Sequence, residues 1–160
     1  MNSASAGCGN GWQVRAPRDG DFPRWRQLYR AYADFYRTPQ PDAAVLRVWS
    51  WIHDPHHEVN CLLADNGAGT VAGLAHYRAF ARPLSASTGC FLDDLFIDPA
   101  HRGSGAVDAL LHELRRTARA NGWTVIRWIT AHDNAPAIAT YDRHATRTSW
   151  LTYDLPPAQP

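Results

Sequence analysis

The chain contains no lysine. All sixteen basic residues among its 160 residues are arginine, and they are balanced by fifteen acidic residues. Because Schiff-base catalysis needs a lysine amine, enzymes that depend on it are excluded. The sequence also lacks the positive excess that draws a protein to nucleic acid or to a membrane surface, so we expect neither as a partner.

Cysteine is scarce as well. The three cysteines, Cys8, Cys61 and Cys90, lie far apart and form no CxxC pair. An odd number at such spacing indicates neither a disulfide framework nor a zinc site. We therefore expect a protein of the reducing cytoplasm.

Long apolar runs are absent, and no segment approaches the roughly 20 residues needed to cross a bilayer. Residues 1–11 are small and polar, without the basic and apolar regions of a signal peptide, so we expect a disordered N-terminus there. The length fits a single domain, which we place over residues 12–155, with a loose tail over 156–160.

One predicted loop is rich in possible metal ligands: His53, His56, His57 and Glu58. No helix holds two of them at i, i+4 spacing. A solvated loop is therefore the expected structure, and we predict no metal.

Hydrophobic periodicity predicts alternating strands and helices. Strands are predicted over 12–16, 59–64, 70–77, 90–97, 124–130 and 148–155. Helices are predicted over 22–36, 43–52, 107–120 and 135–141. The segment 82–89 is predicted to be a loop.

The stretch from Cys90 to Leu114 predicts a buried strand, a tight turn and a helix. Gly103 and Gly105 lie in the turn, where a missing side chain lets a ligand approach the backbone. The free N–H groups at the start of the helix and its dipole favour an anion, and a phosphate fits such a site. Glycine also serves in turns that bind nothing, so the turn alone leaves both interpretations open.

Two acids, Asp93 and Asp94, interrupt the strand 90–97. Since neighbouring strand residues point to opposite faces, we expect only one of them to face any given cleft. The helix after this strand leads to the strand 124–130, so a right-handed crossover should place the two strands side by side and parallel.

The motifs LDDLFIDPAHRGSG, which begins at Leu92, and DNAPAIATY, which ends at Tyr141, resemble those of the GNAT N-acetyltransferases. Within that superfamily they are similar to the diamine (spermidine/spermine) acetyltransferases. The resemblance implies an α/β fold with a mixed, mostly antiparallel central sheet, a parallel strand pair splayed at the cofactor site, and helices on both faces. It also implies transfer of an acetyl group from acetyl-CoA to a primary amine of a small, cationic, polyamine-like acceptor, by a homodimer.

The resemblance also implies the catalytic roles. The residue matching Tyr141 protonates the departing coenzyme A sulfur, and a carboxylate at the position of Asp93 binds or deprotonates the amine, usually through water. The relatives have glutamate where this chain has Asp93. The implied cofactor-binding positions lie on the strand, the turn and the last helix: Leu95, Phe96, Ile97, Arg102, Gly103, Ser104, Gly105, Ala106, Val107, Asp108 and Asn134.

Two positions depart from the family pattern. Val107 stands where the family has Gly or Ala, and Ala145-Thr146 stands where it usually has Gly-Phe. Asn134 and Tyr141 also have ordinary interpretations, as a helix N-cap and a core tyrosine.

The first helix is unusually aromatic, with a predicted inner stripe of Phe22, Trp25, Leu28 or Tyr29, Tyr32, and Phe35 or Tyr36. The stripe as a whole fits a core-facing helix. Tyr32 and Tyr36, near its end, are also candidates to line a pocket where aromatic faces hold a cationic amine.

Three functional hypotheses follow. The first is the N-acetyltransferase, with amino acids, antibiotics and peptide amines as alternative acceptors. The second is a non-catalytic acyl-CoA-binding module. The third, a nucleotide-binding fold, is disfavoured because the turn has no Gly-Lys-Ser/Thr signature and no full dinucleotide fingerprint.

Overall fold

The computed structural model describes residues 11–158, which contain five strands and four α-helices. The strands are β1 (Gln13–Arg15), β2 (Asn60–Asp65), β3 (Val71–Arg82), β4 (Ser87–Ile97) and β5 (Ile126–Arg127). The helices are α1 (Phe22–Phe35), α2 (Asp42–His53), α3 (Ala106–Ala120) and α4 (Ala135–Tyr141). Of the described residues, 11–128 form one compact unit and 129–158 a second.

The five strands form one sheet in the order β1-β2-β3-β4-β5. The first four pair antiparallel, and β5 pairs parallel with β4 through Cys90 opposite Ile126 and Phe91 opposite Arg127. The parallel pair is joined through α3, as expected for a crossover connection. The predicted mixed, mostly antiparallel sheet is confirmed.

Helices cover both faces of this sheet. On one face, which we call the α3 face, Leu110, Leu111 and Leu114 of α3 pack against apolar side chains of β2, β3 and β4. On the other, the α1/α2 face, Trp25 and Leu28 of α1 and Val45 of α2 pack against a second cluster of strand residues. The three-to-four spacing of these apolar residues gives each helix one buried side.

The carboxyl end of α1 differs from the predicted stripe. Trp25 and Leu28 are buried as expected, but Phe35 is 52% exposed and Tyr36 is 41% exposed. The Tyr36 ring lies edge-on to both Tyr32 and Phe35, at 5.1 and 5.0 Å between centroids. Phe35 and Tyr36 therefore cover part of each other's apolar surface outside the core, whereas Tyr32 packs against the core.

The predicted loop over 82–89 is wrong. β3 continues to Arg82, a short 3-10 turn spans Pro83–Ser85, and β4 begins at Ser87. Gly89 makes this pairing possible, because a Cβ there would lie 2.6 Å from the Phe80 ring. Small residues that resemble a loop in the sequence thus permit a close approach of the strands.

Two predicted strands also need correction. The strand over 124–130 is reduced to the two residues of β5, and residues 148–155 form no strand. The alternating large side chains of that last segment, including Trp150 and Tyr153, are exposed. Since a strand needs a neighbour for its backbone hydrogen bonds and residues 129–158 contain no strand, alternation alone does not create one.

No helix within residues 11–158 is long and apolar enough to span a bilayer.

Candidate active site

The pairing of β4 changes halfway along the strand. Up to Phe91 both edges are paired: β3 lies on one side, and on the other the Thr124 N–H donates to the Thr88 carbonyl and the Cys90 N–H to the Val125 carbonyl, each at 2.8 Å. From Leu92 to Ile97 the pairing with β3 continues, but no strand among residues 11–158 pairs with the second edge. β4 therefore has an open edge over Leu92–Ile97.

A β-bulge lies where this edge opens. Asp94 is opposite His76 and Leu92 is opposite Tyr77, which leaves Asp93 as an extra residue. Leu92 and Leu95 both pack on the α3 face, so the two residues between them lie on the α1/α2 face. The prediction that the two acids point to opposite faces is wrong, because the bulge interrupts the alternation.

The backbone after the bulge has a defined orientation. The Asp98 N–H donates to the Ala72 carbonyl at 2.8 Å, so Asp98 faces β3. By alternation Phe96 also faces β3, whereas the N–H and C=O groups of Leu95 and Ile97 face the open edge. The Phe96 side chain is buried in the core of the α1/α2 face. The open edge thus offers the backbone of Leu95 and Ile97 to a ligand.

Asp93 is paired with an arginine. Its carboxylate lies 3.2 Å from Nε of Arg78, and each of the two side chains is about one-third exposed. Partial burial raises the pKa of Asp93 above its ordinary value, although the charge of Arg78 opposes this increase. Asp93 therefore accepts a proton more readily than a solvated aspartate does.

Asp94 has a different partner. Its Oδ2 lies 2.8 Å from Nδ1 of His76, a residue that is only 2% exposed. The other ring nitrogen of His76, Nε2, accepts a hydrogen bond of 3.0 Å from Nε1 of Trp25. Tyr29 lies edge-on to the His76 ring at 5.1 Å, and burial, followed by the charge of Asp94, raises the pKa of Tyr29.

Cys61, His76 and Asp94 lie opposite one another on β2, β3 and β4. The three residue types also occur in nucleophilic triads, but two observations exclude that chemistry. Burial raises the pKa of the Cys61 thiol well above its ordinary value, so the reactive thiolate is disfavoured. The His76 nitrogen that would serve as a base is occupied by Trp25.

The predicted phosphate-binding turn connects β4 to α3. Gly103 and Gly105 have φ angles of 73° and 90°, which glycine adopts without strain, and Gly105 is the N-cap of α3. A Cβ at Gly103 would meet no atom within 4 Å, so the space beside its backbone is open. Trp12, which is 92 residues away in sequence, supports the turn because its Nε1 donates to the Ser104 carbonyl at 2.9 Å.

The side chains of the turn differ in their exposure. Arg102 and Asp108 are exposed, whereas Ala106 is buried. Val107 packs against the core of the α3 face. Its bulk, where the family has Gly or Ala, is thus accommodated by the core.

In the second unit, Asn134 caps α4. Its Oδ1 accepts a hydrogen bond of 3.4 Å from the Ala137 N–H, and Pro136 lies in the first turn of the helix. The ordinary capping interpretation of Asn134 is therefore confirmed. Tyr141 is the last residue of α4 and is half-buried.

Of the two predicted pocket tyrosines, Tyr32 contacts β4, with its ring 5.9 Å from that of Phe96, while Tyr36 contacts Tyr32. Sequence reasoning missed His76, Arg78 and Trp25. The available signal was weak: a histidine at a core-facing position after the apolar run Val71–Ala75 of β3.

Within residues 11–158 no group of three or more His, Cys, Asp or Glu side chains is arranged to hold a metal ion. In the histidine-rich segment, His53 lies against the Trp49 ring and His57 stacks on the Trp51 ring, at 4.2 and 4.7 Å between centroids.

Comparisons with known proteins agree with this architecture. The model of the acetyltransferase (GNAT) family matches residues 25–145. The D-amino-acid N-acetyltransferase of Saccharomyces cerevisiae is 24% identical over 141 residues, which are 88% of this chain and 88% of that protein.

Two solved structures have the same fold. The ribosomal-protein-alanine N-acetyltransferase of Brucella melitensis biovar Abortus has a TM-score of 0.77 at 17% identity, over 91% of this chain and 99% of that chain. AAC(6')-Iy, in complex with the bisubstrate analogue CoA-S-monomethyl-acetylneamine, has a TM-score of 0.77 at 16% identity, over 92% and 99% of the two chains. With a bulged β4 whose second edge is open over Leu92–Ile97, and with the family match over most of its length, the chain belongs to the GNAT acetyltransferase family and is an acetyl-CoA-dependent N-acetyltransferase.

Proposed function

We propose that this enzyme acetylates a primary amine of a small cationic acceptor, with polyamine-like amines as the preferred class. The observation that carries the proposal is the second half of β4. There, an open backbone edge and two carboxylates, Asp93 and Asp94, occur within a few residues of each other. Carboxylates attract a protonated amine, and free backbone N–H groups suit the thioester that it attacks.

The proposed cofactor site has two parts. The turn Arg102–Asp108 binds the diphosphate through backbone N–H groups at the start of α3. The backbone of Leu95 and Ile97 binds the acyl and pantetheine portion, while Phe96 contributes mainly by filling the core behind it. Asn134, beyond its capping role, is proposed to assist the pantetheine arm.

Acetyl transfer requires a neutral amine, yet an alkylamine with a pKa of about 10 is only about one part in a thousand neutral at pH 7. We assign Asp93 to accept the proton, through water, because aspartate is one methylene shorter than the glutamate of similar enzymes. Its raised pKa suits this role. The charge of Arg78 opposes this rise in pKa and so favours the ionised form of the carboxylate.

Two further assignments rest on the resemblance of the sequence to the diamine acetyltransferases. Tyr141 is proposed as the acid that protonates the departing coenzyme A thiolate, and Tyr32 and Tyr36 as aromatic walls for the acceptor. A homodimer is proposed on the same grounds.

The test is thiol release from acetyl-CoA, with the product identified by mass spectrometry. The amines are spermidine, putrescine, D-alanine, kanamycin and a peptide with an N-terminal alanine. We expect amine-dependent thiol release, the highest kcat/KM with spermidine or putrescine, and a singly acetylated product. A higher kcat/KM with D-alanine or kanamycin would overturn the polyamine preference. Binding of acetyl-CoA without thiol release on any amine would instead identify a non-catalytic acyl-CoA-binding module.

A further inference from the structure

Three hydrogen-bonded side chains connect α1 to the α1/α2 face of β4, where we propose that the acceptor binds. Trp25 donates from Nε1 to Nε2 of His76 at 3.0 Å, and Nδ1 of His76 lies 2.8 Å from Oδ2 of Asp94. Trp25 and His76 are 0% and 2% exposed, whereas the Asp94 side chain is 25% exposed. This series of hydrogen bonds thus runs from the core to a carboxylate that solvent can reach.

The two hydrogen bonds together determine the protonation of the imidazole. The indole N–H of Trp25 is only a donor, so Nε2 of His76 must be the acceptor and carries no proton. The single ring proton is then on Nδ1, which donates it to Asp94. His76 is therefore a neutral donor, and its contact with Asp94 is a hydrogen bond rather than an ion pair.

The two pairs, each formed by an acid and its partner, consequently differ in net charge. Asp93 is neutralised by the guanidinium of Arg78. Among residues 11–158, His76 is the one basic side chain in ion-pairing distance of Asp94, and it is uncharged in this tautomer. The other titratable groups that interact with Asp94 are its neighbour Asp93, Tyr29 from α1 and Cys61 from β2. Asp93 is acidic and burial disfavours ionisation of the other two, so none of them adds a positive charge.

We propose that Trp25 and His76 are positioning residues that hold Asp94 as an uncompensated carboxylate for the cationic group of the acceptor. The inference rests on the proposed function, and it divides the work between the two acids. Asp93 accepts the proton of the reacting amine, and Asp94 selects acceptors by their charge.

The inference requires Nδ1 of His76 to donate a hydrogen bond and Nε2 to accept one. Two substitutions test these two roles separately. In His76→Asn the amide lies near the former Nδ1 and can still donate to Asp94. In His76→Gln the amide reaches the former Nε2 and can still accept from Trp25, but the donor to Asp94 is lost.

We expect Asp94→Asn and His76→Gln each to raise the KM for spermidine about tenfold, the loss of one hydrogen bond or contact to a charged group. His76→Asn should restore most of that loss, to within about threefold of the wild type. The kcat and the KM for acetyl-CoA should change less than about twofold in all three variants. Trp49→Phe is the control, because Trp49 packs against Trp25 at 4.9 Å in the same aromatic cluster and has no contact with His76 among the ring pairs. It should leave the spermidine KM unchanged.

A second measurement is independent of catalysis. In ¹⁵N spectra of the full-length protein at pH 7, the resonances that disappear in His76→Gln should belong to an imidazole protonated on Nδ1 alone. Trp25→Phe removes only the indole donor to Nε2, so Nε2 should become free to take up a proton, and the signals of the Nε2-protonated or doubly protonated ring should appear in this variant. An Nε2-protonated or doubly protonated His76 in the wild type would overturn the inference.

The outcomes distinguish this inference from the proposed function. If the wild type transfers acetyl groups but Asp94→Asn and His76→Gln leave the spermidine KM unchanged, the positioning role is overturned and the enzyme assignment stands. If His76→Gln and His76→Asn raise the KM equally, the role of the Nδ1 donor is overturned. If the wild type acetylates none of the amines, the proposed function fails, and this inference fails with it.

Discussion

The two sides of the second half of β4 use different chemistry. Along its open edge, and in the turn that follows, the available groups are backbone N–H and C=O groups of Leu95, Ile97 and Gly103. On the α1/α2 face the available groups are side chains, with Asp93 paired to a charged partner and Asp94 to a neutral one. The open edge with its turn, which we propose as the cofactor side, should therefore respond to changes in backbone geometry. The α1/α2 face, which we propose as the acceptor side, should respond to changes in charge.

The largest expected effect concerns acetyl transfer itself rather than the binding of either substrate. Tyr141→Phe should lower kcat by about two to four decades with unchanged affinity for acetyl-CoA, because it removes the phenol that we propose as the acid for the departing thiolate. The measurement is steady-state kinetics with the best amine, alongside direct binding of coenzyme A. Tyr153→Phe, at an exposed tyrosine of the same unit, is the control. A turnover close to that of the wild type would remove Tyr141 from the mechanism.

The next effect should be confined to the cofactor side. Gly103→Ala and Gly122→Ala place the same methyl group at positive φ angles of 73° and 67°, in open space at opposite ends of α3. Each should lower the free energy of unfolding by about 1 kcal/mol, since alanine is strained there. Only Gly103→Ala should raise the KM for acetyl-CoA, by about tenfold, because its methyl occupies the approach to the turn.

That pair is measured by urea denaturation and by initial rates at varied acetyl-CoA. Equal KM values for acetyl-CoA in the two variants would mean that the turn does not bind the diphosphate.

A smaller effect should appear on the acceptor side as a change in pH dependence. Burial raises the pKa of Asp93, and Arg78 opposes the rise. Arg78→Gln removes the opposing charge, so the pKa of Asp93 should rise further and less of the carboxylate should be ionised at acidic pH. The ratio of kcat/KM at pH 6 to that at pH 8 should therefore fall. Arg82→Gln, on the same strand but bonded to Thr124, should leave the ratio unchanged. An unchanged ratio in Arg78→Gln would mean that Asp93 does not accept the proton.

The strand, turn and helix around Gly105 were predictable from sequence because their signals are local. Apolar residues at helical spacing, two glycines and a proline each have a direct conformational consequence. The wrong prediction that the two acids lie on opposite faces has a related cause, because a sequence pattern reports only local structure. Asp93 and Asp94 satisfy simple alternation, and nothing within the strand reveals that its pairing with β3 leaves Asp93 as an extra residue opposite the step from His76 to Tyr77.

The Asp94 partners were unpredictable for a related reason. Trp25 and His76 are 51 residues apart in sequence, and only the packing of α1 on β3 brings them together. The failed strand over 148–155 shows the reverse case. Its alternating pattern is clear, but residues 129–158 supply no strand to receive its hydrogen bonds.

The division of labour along β4 is tested most directly by measuring both Michaelis constants in Gly103→Ala and Asp94→Asn under identical conditions. The account predicts that Gly103→Ala raises only the KM for acetyl-CoA and that Asp94→Asn raises only the KM for spermidine. A rise in both constants in either variant, with the protein fully folded under the assay conditions, would contradict the separation of the backbone edge from the charged face.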